Sequence, residues 1–210
     1  MKIKVAITAL VVLLAVTVNA QTENRERFQI GVKAGGSLSN VYDTQGEEFN
    51  AKAKVGFSGG VFFTIPLGKV FGIQPEVLIT QKGFKGSGKL LGQNYSFKRT
   101  TTFLEVPILL AIKPAEFLTI VVGPQYSYLL HQRDVFTSAI VNTNQEQEFE
   151  QDNIRKNMLG AVVGLDINIG NFVIGGRIGL DMLRNRGDGS HDTPRYRNVS
   201  GQVTVGYKFL

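Results

Sequence analysis

The stretch TFLEVPILLAIKP (Thr102–Pro114) is almost wholly apolar, yet it carries a glutamate, Glu105, in its middle. A buried carboxylate is costly unless it is paired or wet. Read with the two-residue period of a β-strand, the segment separates into two faces. Leu104, Val106, Ile108, Leu110 and Ile112 make one unbroken apolar face. Glu105 lies on the other, with Pro107, Leu109, Ala111 and Lys113.

Other segments behave alike. In FGIQPEVLITQKG, Ile73, Val77 and Ile79 oppose Gln74, Glu76, Thr80 and Lys82. In FVIGGRIGLDML, Phe172, Ile174, Ile178 and Leu180 oppose Arg177 and Asp181. Near the amino end, Phe28, Ile30, Val32 and Leu38 oppose Gln29, Lys33 and Ser37, and near the carboxyl end Val199, Val203, Val205, Tyr207 and Phe209 oppose Ser200, Gln202, Thr204 and Lys208. Alternation of this kind predicts eight strands, near 28–40, 53–66, 71–83, 100–113, 117–130, 157–169, 172–183 and 198–209. The connections alternate short (66–69, 114–116, 170–171) and long (41–52, 84–99, 131–156, 184–197). Tight turns at one end and long loops at the other are expected of an all-β, eight-stranded, antiparallel up-and-down transmembrane barrel, with short periplasmic turns and long extracellular loops in the porin-like manner. Phe28, Phe71, Phe172, Tyr207 and Phe209 fall at the turn-side ends, where an interfacial aromatic girdle belongs. Pro75, Pro107 and Pro124 fall inside expected strands, where each removes a ladder donor, so bulges or local irregularity are expected there.

A uniformly apolar face opposite a charged one fits lipid outside and a polar lumen inside; a soluble ligand-carrying barrel has the reverse arrangement. Eight strands leave an interior just wide enough for side chains. Glu76, Glu105, Asp166 and Asp181 are therefore expected near Lys33 and Arg177, with Lys54 as a third candidate cation. The expected result is a structural lumenal cluster in a plugged interior. A proton or ion path is the competing reading of the same groups.

The amino end reads as a removable address: Lys2 and Lys4, the 14-residue apolar run Val5–Val18, and Val18-Asn19-Ala20 as a cleavage signature. The run is short of the ~20 residues a spanning helix wants; a retained anchor is the alternative. Residues 1–20 are thus expected to be a signal peptide and 21–210 the barrel domain. The formal charge of +6 falls to about +4 without Lys2 and Lys4. Lys and Arg form no stripe, which argues against nucleic acid. There is no cysteine, which excludes a disulfide scaffold and a thiolate metal site. No cofactor motif is present.

His131 and His191 are the only histidines. Ser127 and Asp134 lie near His131, but their spacing matches no acyl-transfer motif, so the chain is not expected to be an enzyme. The segment 184–197 holds Asp188, Ser190 and Asp192 at alternate positions without the glycine and distal glutamate of a calcium loop, and reads as a solvated loop. The acidic stretch 142–156, with Glu146, Glu148, Phe149 and Glu150, is the first candidate for partner contact, because surface loops carry binding.

Three segments in series, IGVKAGGSLSNV (Ile30–Val41), IQPEVLITQKGFK (Ile73–Lys85) and FLEVPILLAIKP (Phe103–Pro114), resemble the PorT-like outer-membrane β-barrel family of Bacteroidetes, and the terminal GQVTVGYKFL resembles its closing strand. The resemblance implies an integral barrel in the Gram-negative outer membrane, with lipid as its surroundings and the barrel-assembly machinery as its partner during biogenesis. Tyr207-Lys208-Phe209-Leu210 is close to an aromatic-rich assembly signal, with Leu where Phe is common and Thr204 in the slot of its upstream glycine. The expected role is structural or loop-mediated binding. Accessory service to a protein secretion or outer-membrane assembly complex is the alternative, and a small outer-membrane barrel enzyme is the alternative of another class.

Overall fold

A computed structural model describes residues 24–42, 51–90, 93–138, 142–145, 155–183 and 197–209. A short 3₁₀ turn (Asn24–Glu26) precedes the strands β1 (Gln29–Tyr42), β2 (Ala51–Pro66), β3 (Phe71–Leu90), β4 (Gln93–Ala115), β5 (Leu118–Ser138), β6 (Asn142–Gln145), β7 (Asn157–Ile169), β8 (Phe172–Asp181) and β9 (Arg197–Lys208). Every pairing is antiparallel. The order β4-β3-β2-β1-β9-β8-β7-β5 returns on itself through the β4–β5 pairing, so eight strands close a barrel. The ninth, β6, pairs only with Asp134–Thr137 of β5 and lies outside the ring. Closure removes the unpaired edges an open sheet would expose.

The strands form because their sequences alternate, and burial follows that alternation without a break along β8. Inward residues of the β1 to β5 walls include Lys33, Ser58, Glu76, Glu105 and Gln125, all buried. Outward residues are large and apolar: Val61, Val77, Ile108, Val122, Val163, Leu165, Ile178 and Val203 are each exposed. Such a continuous apolar belt is not tolerated facing water, and it is the lipid-facing surface of a membrane barrel. Among the described residues no helix is long and apolar enough to cross a membrane.

The turns bear out their chemistry. The β7–β8 connection is Gly170-Asn171, with Gly170 at φ +58, and Gly68 in the β2–β3 connection has φ +125. Both are left-handed conformations that favour glycine. At this rim Phe28, Phe71 and Phe172 are exposed. Phe172, Tyr207 and Phe209 stack edge to face with centroids 5.2 and 5.5 Å apart. Phe117, in the β4–β5 turn, is exposed at the same rim.

The structure corrects the sequence reading in three places. First, residues 84–90 and 93–99 are not loop: β3 and β4 continue as a ladder as far as Leu90 opposite Gln93, and β5 runs on to Ser138. Polar, glycine-rich sequence hides these extensions because it shows no sustained apolar face. Second, the prolines cause no bulge, only local irregularity: the β3–β4 pairing lapses between Pro75 and Leu78, and the β4–β5 pairing between Pro107 and Leu110. Pro75 pairs with Ile108, Pro107 with Gln125 and Pro124 with Ala161, and the register is the same on either side of each. A proline removes one donor, and each residue of a closed barrel donates to only one neighbour, so the ladder can lose a rung without slipping. Third, the register shifts lie elsewhere, between Ala53 and Ser58, Thr102 and Phe103, and Ile112 and Ala115. The expected leader (1–20) and most of the segment 184–197 lie outside the described residues.

Candidate functional site

The barrel interior gathers the ionisable side chains into two cross-lumen networks. In the first, Lys33 of β1 donates to Glu76 of β3. Gln74, two residues before Glu76 on the same face, donates to Glu76 Oε1 at 2.9 Å and to Asp166 Oδ2 of β7 at 3.4 Å. Arg177 of β8 grips Asp166 with Nη1 on Oδ1 and Nη2 on Oδ2, each at 2.7 Å. Its Nη2 also lies 3.5 Å from Glu76 Oε1. Two cations thus meet two carboxylates. The bidentate geometry is the strong form of such a pair. Glycines make room for it: a Cβ on Gly164 would fall 2.5 Å from Arg177 Cδ, and one on Gly175 would fall 2.7 Å from Asp166 Oδ1.

In the second network, Lys82 of β3 donates to Glu105 of β4 at 2.7 Å and lies 3.5 Å from Asp181 Oδ1 of β8. Glu105 also accepts from Gln125 Nε2 at 3.0 Å and from Gln202 Nε2 of β9 at 3.2 Å. Asp181 accepts from Asn198 Nδ2 at 2.6 Å. Ser58 and Thr80 share a hydrogen bond of 2.9 Å, and Ser58 donates to Gln202 Oε1 at 3.3 Å. The Lys82 ammonium sits 5.4 Å from the Phe103 ring centroid. The oddity of Glu105 resolves here: its two oxygens are held by one ammonium and two amides, and it is 0% exposed.

The ring order gives these contacts their meaning. β3 and β8 are four strands apart whichever way the ring is followed, and so are β4 and β9. Glu76–Arg177, Lys82–Asp181 and Glu105–Gln202 therefore span the barrel between diametrically opposed strands. Apolar groups fill beside them. Leu109, Ala111, Val121 and Val162 form one cluster, and Phe103, Leu129, Met158 and Leu183 another. At the turn-side mouth Lys113 Nζ donates to the Arg25 carbonyl at 3.0 Å, tying the 3₁₀ turn to β4, and Lys208 Nζ donates to Asn168 Oδ1 at 3.1 Å. Toward the other rim, Arg99 of β4 holds Asp134 of β5 with Nε at 2.9 Å from Oδ1. Buried charges need this degree of pairing, because an isolated one costs several kcal/mol, in round terms about 3–5.

The structure thus brings Lys33, Glu76, Asp166 and Arg177 together in one network, and Glu105 and Asp181 in the other. Lys54 is not the third cation: it makes no ion pair with these carboxylates, and Lys82 holds that place. Alternation had put Lys82 on the inward face but could not say what it would meet. Gln74, Gln125, Gln202 and Asn198 went unrecognised as site residues for the same reason. Glu146, Glu148, Phe149 and Glu150 lie outside the described residues.

The candidate acyl-transfer groups are dispersed. Leu130 is an extra residue on β5 opposite the Thr102–Phe103 step, so Leu130 and His131 are both exposed while Leu129 and Gln132 are buried. His131 faces out, Ser127 faces the lumen at 1% exposure, and Asp134 is bound to Arg99. No nucleophile–base contact results.

Residues 19–187 match the family described as outer membrane protein beta-barrel domain. A search among curated proteins finds no match. Among solved structures the chain is similar to Ail, the attachment invasion locus protein of Yersinia pestis, at 12% identity and TM-score 0.46, covering 86% of this chain and 97% of that one. It is similar to Neisserial surface protein A at 11% identity and TM-score 0.49, covering 85% and 96%. It is also similar to OprG from Pseudomonas aeruginosa at 11% identity and TM-score 0.45, covering 90% and 99%.

Proposed function

The chain belongs to the outer membrane protein beta-barrel domain family, and from that premise we propose that it is an occluded outer-membrane barrel whose role is structural or binding, exercised at the long-loop rim. One observation carries the reading: Glu76–Arg177, Lys82–Asp181 and Glu105–Gln202 join opposed strands across the lumen. Side chains that meet across the axis leave no continuous bore for bulk solutes, in keeping with the narrow interior of an eight-stranded barrel. The lumenal cluster of Lys33, Glu76, Glu105, Asp166, Arg177 and Asp181 is, on this reading, a brace for the walls.

The remaining parts of the proposal rest on sequence. Residues 1–20 are removed on export, the aromatic carboxyl end is read by the barrel-assembly machinery, and the short turns face the periplasm. The resemblance of the segments at 30–41, 73–85 and 103–114 supports a kinship with the PorT-like members of the family. Partner contact is assigned to the loop bearing Glu146, Glu148, Phe149 and Glu150. No catalytic role is assigned, since Ser127, His131 and Asp134 point to different surroundings.

Planar-bilayer recording tests the occlusion. The folded protein is expected to give no stable open-channel steps. Steps of fixed amplitude at neutral pH would contradict the brace and favour an ion path through the same residues. Copurification in mild detergent, with identification of what stays bound, tests the loop assignment.

A further inference from the structure

The outward face carries a second feature, beyond its apolar belt. On β3 the belt runs from Phe71 through Ile73 and Val77 to Ile79, and on β4 from Ile112 to Leu104. Two polar rungs follow, Gln81 opposite Thr102 and Gly83 opposite Thr100. The next outward rung is lysine on three adjacent strands: Lys52 of β2 faces Lys85 of β3, which faces Lys98 of β4. All three are exposed. A fourth, Lys54, is buried and not part of the exposed row, but lies close by: a Cβ on Gly83 would fall 3.1 Å from its Cδ.

Like charges directly opposite one another weaken a ladder. Among the described residues none of the four lysine side chains takes part in an ion pair or hydrogen bond. Lysines do protect exposed sheet edges from pairing, but Lys85 is not on an edge, having β2 on one side and β4 on the other. The row therefore calls for an external anion.

We propose that Lys52, Lys85 and Lys98 bind the phosphate-bearing headgroup of an outer-leaflet glycolipid. The row continues the column of side chains that faces the acyl chains, so a lipid lying against Ile79 and Leu104 carries its headgroup toward it. Height selects the lipid. Lys85 follows Ile79 by six positions, which at about 3.4 Å per residue and a tilt of about 40° is roughly 15 Å above the belt. The polar layer of a phospholipid adds only about 5–8 Å per side, so a headgroup extended by phosphorylated sugars reaches the row and a glycerophospholipid does not. This inference rests on the proposed orientation, with the long-loop rim outside the cell.

The test titrates the detergent-folded full chain with a phosphorylated, core-bearing lipid A glycolipid, using heat-shifted gel mobility to show that each variant is folded. A lysine at an anionic surface contributes roughly fivefold. Lys85→Gln is therefore expected to weaken binding about fivefold and the Lys52→Gln, Lys85→Gln, Lys98→Gln variant about 100-fold. Dephosphorylated glycolipid should lose as much, and Arg27→Gln, at the opposite rim, should bind as the parent does. Undiminished binding by the triple variant, equal binding of the dephosphorylated form, or equal binding of phosphatidylglycerol overturns the proposal. Preference for soluble heparin over the glycolipid also overturns it, and reassigns the row to a soluble polyanion. An epitope inserted at 91–92 reads the orientation separately: it should be reached on intact cells, and its inaccessibility there overturns the outer-leaflet source even where binding in detergent persists.

Discussion

Arg177→Met is expected to destabilise the folded barrel by about 3–5 kcal/mol, because it leaves a buried carboxylate without its cation. Asp166 loses both of its guanidinium hydrogen bonds and, among the described residues, keeps as a hydrogen bond only the long one from Gln74 at 3.4 Å. Glu76 still has Lys33 and Gln74. The loss should appear as a lower urea midpoint for the unfolding of the barrel in micelles. Adding Asp166→Asn should recover much of it, since removing both charges of a buried pair is often close to neutral. A water-filled lumen makes a different prediction. There the pair would be solvated and its loss would cost only about 0–1 kcal/mol. The size of the single-variant effect therefore reports whether the interior is packed or wet.

Val163→Arg is expected to cost about 2–4 kcal/mol, and Ile169→Arg only about 0–1, because a cation on the lipid face is penalised by depth. Val163 lies mid-belt on β7, while Ile169 ends the strand beside the Gly170-Asn171 turn. Both side chains face outward, at 49% and 59% exposure. A barrel surrounded by water would show neither the cost nor the gradient, since exposed substitutions there stay within about 0.5 kcal/mol. Unfolding midpoints of the two variants in phospholipid vesicles supply the comparison.

Much of this architecture is legible in single strands. Period-two alternation sorts Leu104, Val106 and Ile108 from Glu105, and in the barrel the first set is outward and Glu105 inward. The same reasoning holds along β7, β8 and β9, whose outward residues are apolar apart from Asn157 and Arg197 at the loop-side strand ends. Partners are not legible in this way. Lys82 meets Asp181 because closure sets β3 opposite β8, a property of the whole ring and not of either strand. The β3–β4 extension was hidden because a ladder standing clear of the membrane has no apolar face to announce it. The extra Leu130, which turns His131 outward, changes the phase of β5 by one residue, and a purely periodic reading carries no sign of it. The prolines misled in the opposite sense. A bulge or local irregularity is expected at each; the pairing lapses beside Pro75 and Pro107, but the pairs on both sides hold the register.

The chain has no cysteine, so a single thiol placed along β9 is the one site a thiol-reactive fluorophore labels. In vesicles whose lipids carry brominated acyl chains, probes at Val203→Cys and Val205→Cys should be strongly quenched, and probes at Gln202→Cys and Thr204→Cys should be shielded. Quenching that alternates in this phase means that apolar side chains face the hydrocarbon and polar ones face the axis. Quenching in the opposite phase, or equal at all four positions, would contradict an outer-membrane barrel with this polarity.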